Sequence, residues 1–139
     1  MKKILIFIAI SFATLVSFAQ DSKTYVITRS EWYLYNDLRE EWVLQTQNKD
    51  VKINMVTYKN VINIQALTPT LFRLDESSKK NIEGKDYTGL SYSAIECVEL
   101  RECTVHIVVL DENKTFFLFS VIYNLKGEKV NLRFYAKLD

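Results

Sequence analysis

Residues 115–138 read TFFLFSVIYNLKGEKVNLRFYAKL and contain two apolar runs separated by a Lys126-Gly127 turn signal. The first run, 115–123, carries bulky apolar side chains on both faces, so we expect a central strand that is covered on both sides. The second run, 129–137, alternates apolar and polar residues, which predicts one buried and one solvated face. The buried face would carry Val130, Leu132, Phe134, Ala136 and Leu138, and the solvated face Asn131, Arg133, Tyr135 and Lys137.

The same rhythm of short runs rich in Val, Ile, Tyr, Phe and Thr, separated by Asn, Asp and Lys, extends upstream. It predicts a single all-β domain over 20–139, an antiparallel meander closed or nearly closed into a small barrel, with a two-layer β-sandwich as the alternative. Because glycine is scarce, asparagine is expected to take the left-handed turn positions. The predicted strands lie near 24–29, 31–35, 42–47, 51–58, 61–67, 70–74, 90–96, 103–110, 115–123 and 129–137.

Two segments depart from this rhythm. Residues 75–89 are polar and predict a long connection with room for one helical turn. Ser93-Ala94-Ile95-Glu96 matches a capping box, so a short helix reaching Glu102 is the alternative to a hairpin that turns at 99–101. The strand-like runs on either side favour the hairpin.

The N-terminal residues predict export. Lys2 and Lys3 precede an apolar stretch over 4–16, and residues 17–19 place Ser and Ala at the −3 and −1 positions of a cleavage site. This arrangement resembles bacterial Sec-type signal peptides. We therefore expect a signal peptide over 1–19, cleavage after Ala19, and a periplasmic or extracellular protein with no membrane span after the leader is removed.

Charge and cysteine content restrict the partners and cofactors that the sequence predicts. The chain has 18 basic and 17 acidic side chains, a balance that creates no field for attracting nucleic acid, so we expect no nucleic-acid partner. Cys97 and Cys103 are the two cysteines, and export to an oxidising compartment together with a hairpin predicts a disulfide between them; two reduced thiols are the alternative. Their spacing is not that of redox or zinc motifs, and no cofactor motif is present.

Titratable residues give little support for catalysis. His106, the single histidine, lies among aliphatic residues in a predicted strand, which favours a structural role over a metal or catalytic role. The carboxylates fall in predicted turns and suggest hydrolysis only if two of them converge about 5 to 10 Å apart. We therefore expect no enzyme, no metal and no cofactor. The turn carboxylates are Asp37, Glu40, Glu41, Asp75, Glu76, Asp111 and Glu112.

The aromatic residues suggest binding. Aromatic rings bring a large contact area at low entropic cost, so strand aromatics are candidates for stacking on a sugar or filling a partner's pocket. The sequence thus predicts a non-enzymatic binding or interaction module, whose ligand, partner and oligomeric state it leaves open. The alternatives are a calycin-like carrier of a small apolar ligand inside the barrel and a hydrolase using turn carboxylates. The candidate binding residues are Trp32, Tyr33, Tyr35, Trp42, Phe117 and Phe119.

The carrier alternative depends on a likeness of general plan. A small antiparallel barrel resembles lipocalin-type barrels, which implies an interior able to hold a ligand. Their Gly-x-Trp opening is absent, because Ser30-Glu31 precedes Trp32. The resemblance is therefore one of architecture only. A carrier should contain an internal cavity of roughly 300 Å³ or more, whereas a binding module should have a filled core.

Overall fold

The computed structural model describes residues 22–66, 68–85 and 87–139, which contain ten β-strands and one short 3₁₀ helix. The predicted signal peptide lies outside these residues, so its cleavage stays a prediction. None of the described helices is long and apolar enough to span a membrane. The elements are β1 (Ser22–Asn36), β2 (Glu41–Asn48), β3 (Ile53–Tyr58), β4 (Val61–Gln65), β5 (Thr70–Leu74), the 3₁₀ helix (Glu76–Ser78), β6 (Lys80–Glu83), β7 (Thr88–Glu96), β8 (Arg101–Val109), β9 (Phe116–Leu125) and β10 (Glu128–Leu138).

Eight antiparallel strands form a closed barrel, which confirms the predicted fold class. Around the barrel the strands follow the order β10-β9-β8-β7-β5-β4-β3-β1, and β1 pairs again with β10 to close it. The two remaining strands lie outside the barrel, β2 against β1 and β6 against β7. Closure removes the exposed sheet edges that an open sheet would leave, except along β2 and β6.

Strand β1 is a single bulged strand, whereas the sequence predicted a break near residue 30. Its first part pairs with β3 and its second with β2, while its other edge pairs with β10 throughout. The β10 register passes from Ile27↔Ala136 to Arg29↔Tyr135, so Thr28 is the extra residue. A one-residue bulge exchanges the two faces of a strand. Ile27 therefore lies on the inner face before the bulge, and Trp32 lies on that face afterwards, where it is 36% exposed.

Side chains fill the barrel interior. Strand β9 pairs with β8 on one side and β10 on the other, as each barrel strand pairs with two neighbours. Tyr25 packs edge to face against Phe117 and Phe119, with ring centroids 5.5 and 5.3 Å apart. Among the core residues, Ile27, Met55, Val105 and Ala136 are fully buried. The core cluster comprises Tyr25, Ile27, Met55, Ile62, Ile64, Phe72, Leu74, Tyr92, Ala94, Cys103, Val105, Phe119, Val121 and Ala136.

The predicted long connection contains more structure than one helical turn. Asp75 caps the 3₁₀ helix by accepting a hydrogen bond from the Ser77 backbone N–H at 3.1 Å. The chain then forms β6, which pairs with residues 88–91 of β7 as a short hairpin. The sequence missed β6 because this outer strand is polar and has no apolar alternation to reveal it.

The turns lie where the sequence predicted them, but asparagine does not take the left-handed positions. Outside glycine, the residues with positive φ in the described chain are Glu40, Lys59, Leu100, Lys114 and Lys126. Lys126 and Gly127, with φ of 51° and 85°, form the two-residue turn between β9 and β10. Asn36 instead accepts hydrogen bonds from the backbone N–H groups of Leu38 and Arg39. Side-chain capping, not backbone tolerance, accounts for Asn36.

The predicted Cys97–Cys103 disulfide is wrong, although the hairpin on which it depended is present. Strands β7 and β8 pair from Glu96↔Arg101 inward, so the residue opposite Cys103 is Ala94. Cys97 belongs to the four-residue turn, whereas Cys103 points into the barrel. The two thiols are free and not at disulfide distance.

This arrangement predicts unequal thiol reactivity. Burial raises the pKa of the Cys103 thiol to about 11, so little thiolate is present at neutral pH. In native protein a thiol reagent should modify Cys97 quickly and Cys103 only after unfolding. Quantitative labelling before and after denaturation measures both. A single slow-reacting site, or no titratable thiol in denatured unreduced protein, would contradict this arrangement.

Candidate functional site

The six candidate binding residues separate into two groups on opposite sides of the barrel wall. Phe119 is 2% exposed inside the barrel, and Phe117 packs against the same core, so neither forms part of an outer binding surface. Trp32 also lies on the inner side of its sheet, opposite Leu132. The remaining three, Tyr33, Tyr35 and Trp42, share the outer face of the β1–β2 hairpin.

A buried carboxylate organises this outer face. Glu31 is 7% exposed and accepts hydrogen bonds from Tyr33 Oη at 3.1 Å and from Gln47 Nε2 at 2.6 Å. Tyr135 donates a further side-chain hydrogen bond to it. The carboxylate thereby connects β1, β2 and β10 on the outer side. We call Glu31 and these three partners the Glu31 cluster.

The hydrogen bonds of this cluster keep Glu31 ionised. Burial alone raises the pKa of a carboxyl group, but the hydrogen bonds from Tyr135, Tyr33 and Gln47 and the charge of Arg29 together lower the pKa of Glu31 below its usual value. Two cations cover the aromatic members. The Arg29 guanidinium lies 3.7 Å from the Tyr135 ring centroid, and that of Arg133 lies 4.2 Å from the Tyr33 ring centroid.

A second aromatic group lies nearer the tip of the hairpin. Tyr35 and Trp42 are opposite one another in the β1–β2 register, and their rings meet edge to face at 5.2 Å. The Lys129 ammonium lies 5.5 Å from the Tyr35 centroid and 5.8 Å from that of Trp42. We call Tyr35 and Trp42 the aromatic pair. Neither ring is buried, so both are available for contact.

A large concavity also lies on the outer side. It is a groove of about 890 Å³ that crosses β5, β7, β8, β9 and β10 and ends at Lys129. We call it the outer groove. Register pairs connect its floor from strand to strand: Arg73 lies opposite Ile95, Ile95 opposite Glu102, and Asn124 opposite Lys129. Five adjacent strands span about 19 Å at the usual spacing.

The outer groove is polar, mixed in charge and continuous with the aromatic pair. Hydroxyl and amide groups of Ser93, Thr104 and Asn124 line it, together with cations and carboxylates on both sides. Lys129 belongs to the groove and contacts the aromatic pair, so the two features form one surface. The charged side chains lining the groove are Arg73, Lys129, Asp75, Glu76 and Glu102.

The two mouths of the barrel carry smaller depressions. One, of about 190 Å³, lies beside Phe72, Cys103 and Leu132. The other, of about 290 Å³, lies beside Tyr25, Tyr92 and Phe119. The core cluster packs between them. The first is smaller than the roughly 300 Å³ expected of a carrier cavity, and the second is about that size but lies at the mouth of the barrel.

The turn carboxylates are divided between the two ends of the barrel, and two of them, Asp75 and Glu76, line the outer groove. Asp37, Glu40 and Glu41 lie at the end of the barrel with the β1–β2 turn, whereas Asp75, Glu76, Asp111 and Glu112 lie at the opposite end, where β5 and β8 finish. Asp111 accepts hydrogen bonds from the backbone N–H groups of Thr115 and Phe116, as a turn cap does. Within the described residues, no group of three or more His, Cys, Asp or Glu side chains could hold a metal ion.

His106 lies on the outer face between two serines. The register places it opposite Ser91 on β7 and Ser120 on β9. Burial lowers the pKa of its imidazole, which favours the neutral form. Ser120 is itself buried and donates a 2.7 Å hydrogen bond to Asn131 Oδ1. Its hydroxyl is therefore engaged on the side away from β8, and the structural role of His106 stays a prediction.

Sequence reasoning missed the groove residues and the Glu31 cluster. Arg73, Glu102 and Asn124 look like ordinary solvated strand residues, because nothing local shows that their strands become neighbours. The one available signal was the polar face of the last strand, which includes Arg133 and Tyr135. That face was expected to be solvated, whereas Asn131 on it is 3% exposed.

Comparison with known proteins gives no family. No protein-family model matches the chain, and searches of curated proteins and of solved structures find no match.

The Glu31 cluster predicts a pH-dependent effect on stability. Replacing Glu31 by Gln should lower the free energy of unfolding by about 1–3 kcal/mol at pH 7, since charged hydrogen bonds are lost. Because the folded pKa is depressed, this contribution is present above the unfolded pKa and is lost as pH falls through the folded value. The difference between wild type and Glu31→Gln should therefore shrink toward pH 3 in urea titrations.

The exposed turn residue Glu112 supplies the matched control. Glu112→Gln removes the same charge at a solvated position and should change stability little at either pH. A Glu31→Gln deficit that stays constant from pH 7 to pH 3 would show that the loss does not come from the ionised carboxylate.

Proposed function

We propose that the protein is an exported, non-enzymatic binding module whose ligand lies along the outer groove and against the aromatic pair. The observation that carries this proposal is the contact of Lys129 with both features, which makes them one surface. The filled barrel interior supports a binding surface outside the barrel over the carrier hypothesis. Export is supported by the predicted signal peptide.

The chemistry of the surface favours a neutral, extended and polar ligand, such as an oligosaccharide chain. The groove is open and crosses several strands, which suits a chain better than a compact small molecule. Its cations, Arg73 and Lys129, are balanced by carboxylates, so it has no strong attraction for a polyanion or a polycation. Hydroxyl and amide groups both donate and accept hydrogen bonds, and the carboxylates add acceptors. Trp42 offers a ring for stacking at one end.

Replacing the tryptophan on each face of the β1–β2 hairpin by alanine, one at a time, tests the proposal. Trp42→Ala should weaken binding to a neutral oligosaccharide about tenfold or more, because a half-buried aromatic contact beside the groove is lost. Trp32→Ala removes the same side chain from the opposite face of β1 and should leave affinity unchanged. The measurement is calorimetry or affinity electrophoresis against a panel of soluble neutral oligo- and polysaccharides.

Circular dichroism of the two variants distinguishes a loss of binding contact from a loss of folding. Both variants should keep the far-ultraviolet circular dichroism of wild type. The proposed function is contradicted if no neutral glycan in the panel binds, or if Trp32→Ala and Trp42→Ala weaken binding equally.

A further inference from the structure

Strand β2 presents an unpaired edge. One of its edges pairs with β1, and no other strand in the described ranges pairs with it. Six of its eight residues are exposed. Residues 42–48, WVLQTQN, contain no charge, proline or glycine. Natural edge strands usually carry lysine or proline to prevent further pairing, and this one does not.

We propose that β2 pairs with β2 of a second copy of this chain, antiparallel and about a two-fold axis. Such an interface is self-complementary, because the same strand supplies both sides. It would join the two four-strand sheets β9-β10-β1-β2 into one continuous sheet. This interface goes beyond the proposed function and does not depend on it.

A bulge in β2 restricts the register. Pairing with β1 passes from Trp32↔Thr46 to Tyr33↔Leu44, so Gln45 is an extra residue. Side chains therefore exchange faces at Gln45: Trp42 lies outward before it and Gln47 outward after it. Opposed residues in an antiparallel pair point to the same face. A residue before the bulge in one copy must consequently oppose a residue after the bulge in the other.

The symmetric register satisfies this requirement. With the two bulges opposed, Trp42 meets Gln47 of the second copy on the outer face. Val43 meets Thr46 of the second copy on the inner face. The requirement that opposed residues share a face also allows this register to slide by two residues in either direction. Three registers are therefore possible, and charges near the strand ends help to distinguish them.

Charge complementarity selects the symmetric register. At the strand ends it brings Arg39 toward Asp50 of the second copy, and Glu40 toward Lys49 of the second copy. The two-fold axis makes each contact twice. A slide one way opposes Glu41 to Asp50, which are like charges, and either slide leaves two of the eight β2 residues unpaired, whereas the symmetric register pairs all eight.

Arg39 is available for this contact. Its ion pair with Glu41 within the chain is 3.7 Å long, and the two side chains are 74% and 54% exposed. An exposed pair of this kind contributes little stability, so exchange for Asp50 of the second copy is inexpensive. The short strand edge predicts a weak dimer that forms reversibly as protein concentration rises.

Charge reversal tests the interface by sedimentation equilibrium of the whole exported chain. Arg39→Asp or Asp50→Arg alone should weaken dimerisation about tenfold, because like charges then face each other at two places. The double variant Arg39→Asp with Asp50→Arg should recover wild-type affinity. An equimolar mixture of the two single variants should also dimerise like wild type, since every contact again joins opposite charges.

A lysine on the exposed edge gives a second test. Thr46→Lys should weaken the dimer, whereas Gln65→Lys, which places a lysine at an exposed position on β4, should not. A dimer insensitive to Thr46→Lys and to both charge reversals would place the interface elsewhere and overturn the proposal. A wild-type chain that stays monomeric at every accessible concentration would also overturn it, leaving the edge for a strand of a different protein.

Discussion

The pairing of β1 with β10 is the constraint on which the rest of the structure depends. It joins the beginning of the described chain to its end, from Tyr25↔Leu138 to Leu34↔Val130, and turns a meander into a barrel. Without it the aromatic core around Tyr25 would lose one wall. The second part of β1 keeps its pairing with β10 and pairs with β2 on its other edge. The outer face of this β1–β2 hairpin carries Tyr33, Tyr35 and Trp42.

The bulge at Thr28 decides which side chains serve stability and which face outward. Before it, odd-numbered residues of β1 point into the core; after it, they point away from the core, which brings Glu31 beside Tyr135 and Gln47. Barrel closure sets β1 beside β10, and the bulge at Thr28 determines which β1 side chains face inward or outward. Trp32 and Trp42 thus end on opposite faces of one hairpin, a separation that allows binding and folding to be tested independently.

Sequence patterns predicted most strands because alternation and turn residues are local signals. The doubly apolar run 115–123 forms β9, whose inner face packs into the core through Phe119 and Val121, while Leu118 and Ile122 on its outer face are half-buried. What the sequence could not supply was register. Cys103 faces Ala94 and not Cys97, and Thr28 exchanges the faces of β1, because register is fixed by contacts between strands. The outer groove places Arg73 and Lys129 on one surface, and that arrangement depends on the pairing of five strands.

Native-state hydrogen exchange of the β1 amides tests whether pairing of β1 with β10 closes the barrel. If β1 closes the barrel, amides of residues 25–34 that donate to β10 should exchange only through global unfolding, with the same protection free energy as those of β9. If the β1 amides exchange at a free energy well below that of the β9 amides, the barrel opens between β1 and β10. That result would contradict a structure that depends on this pairing.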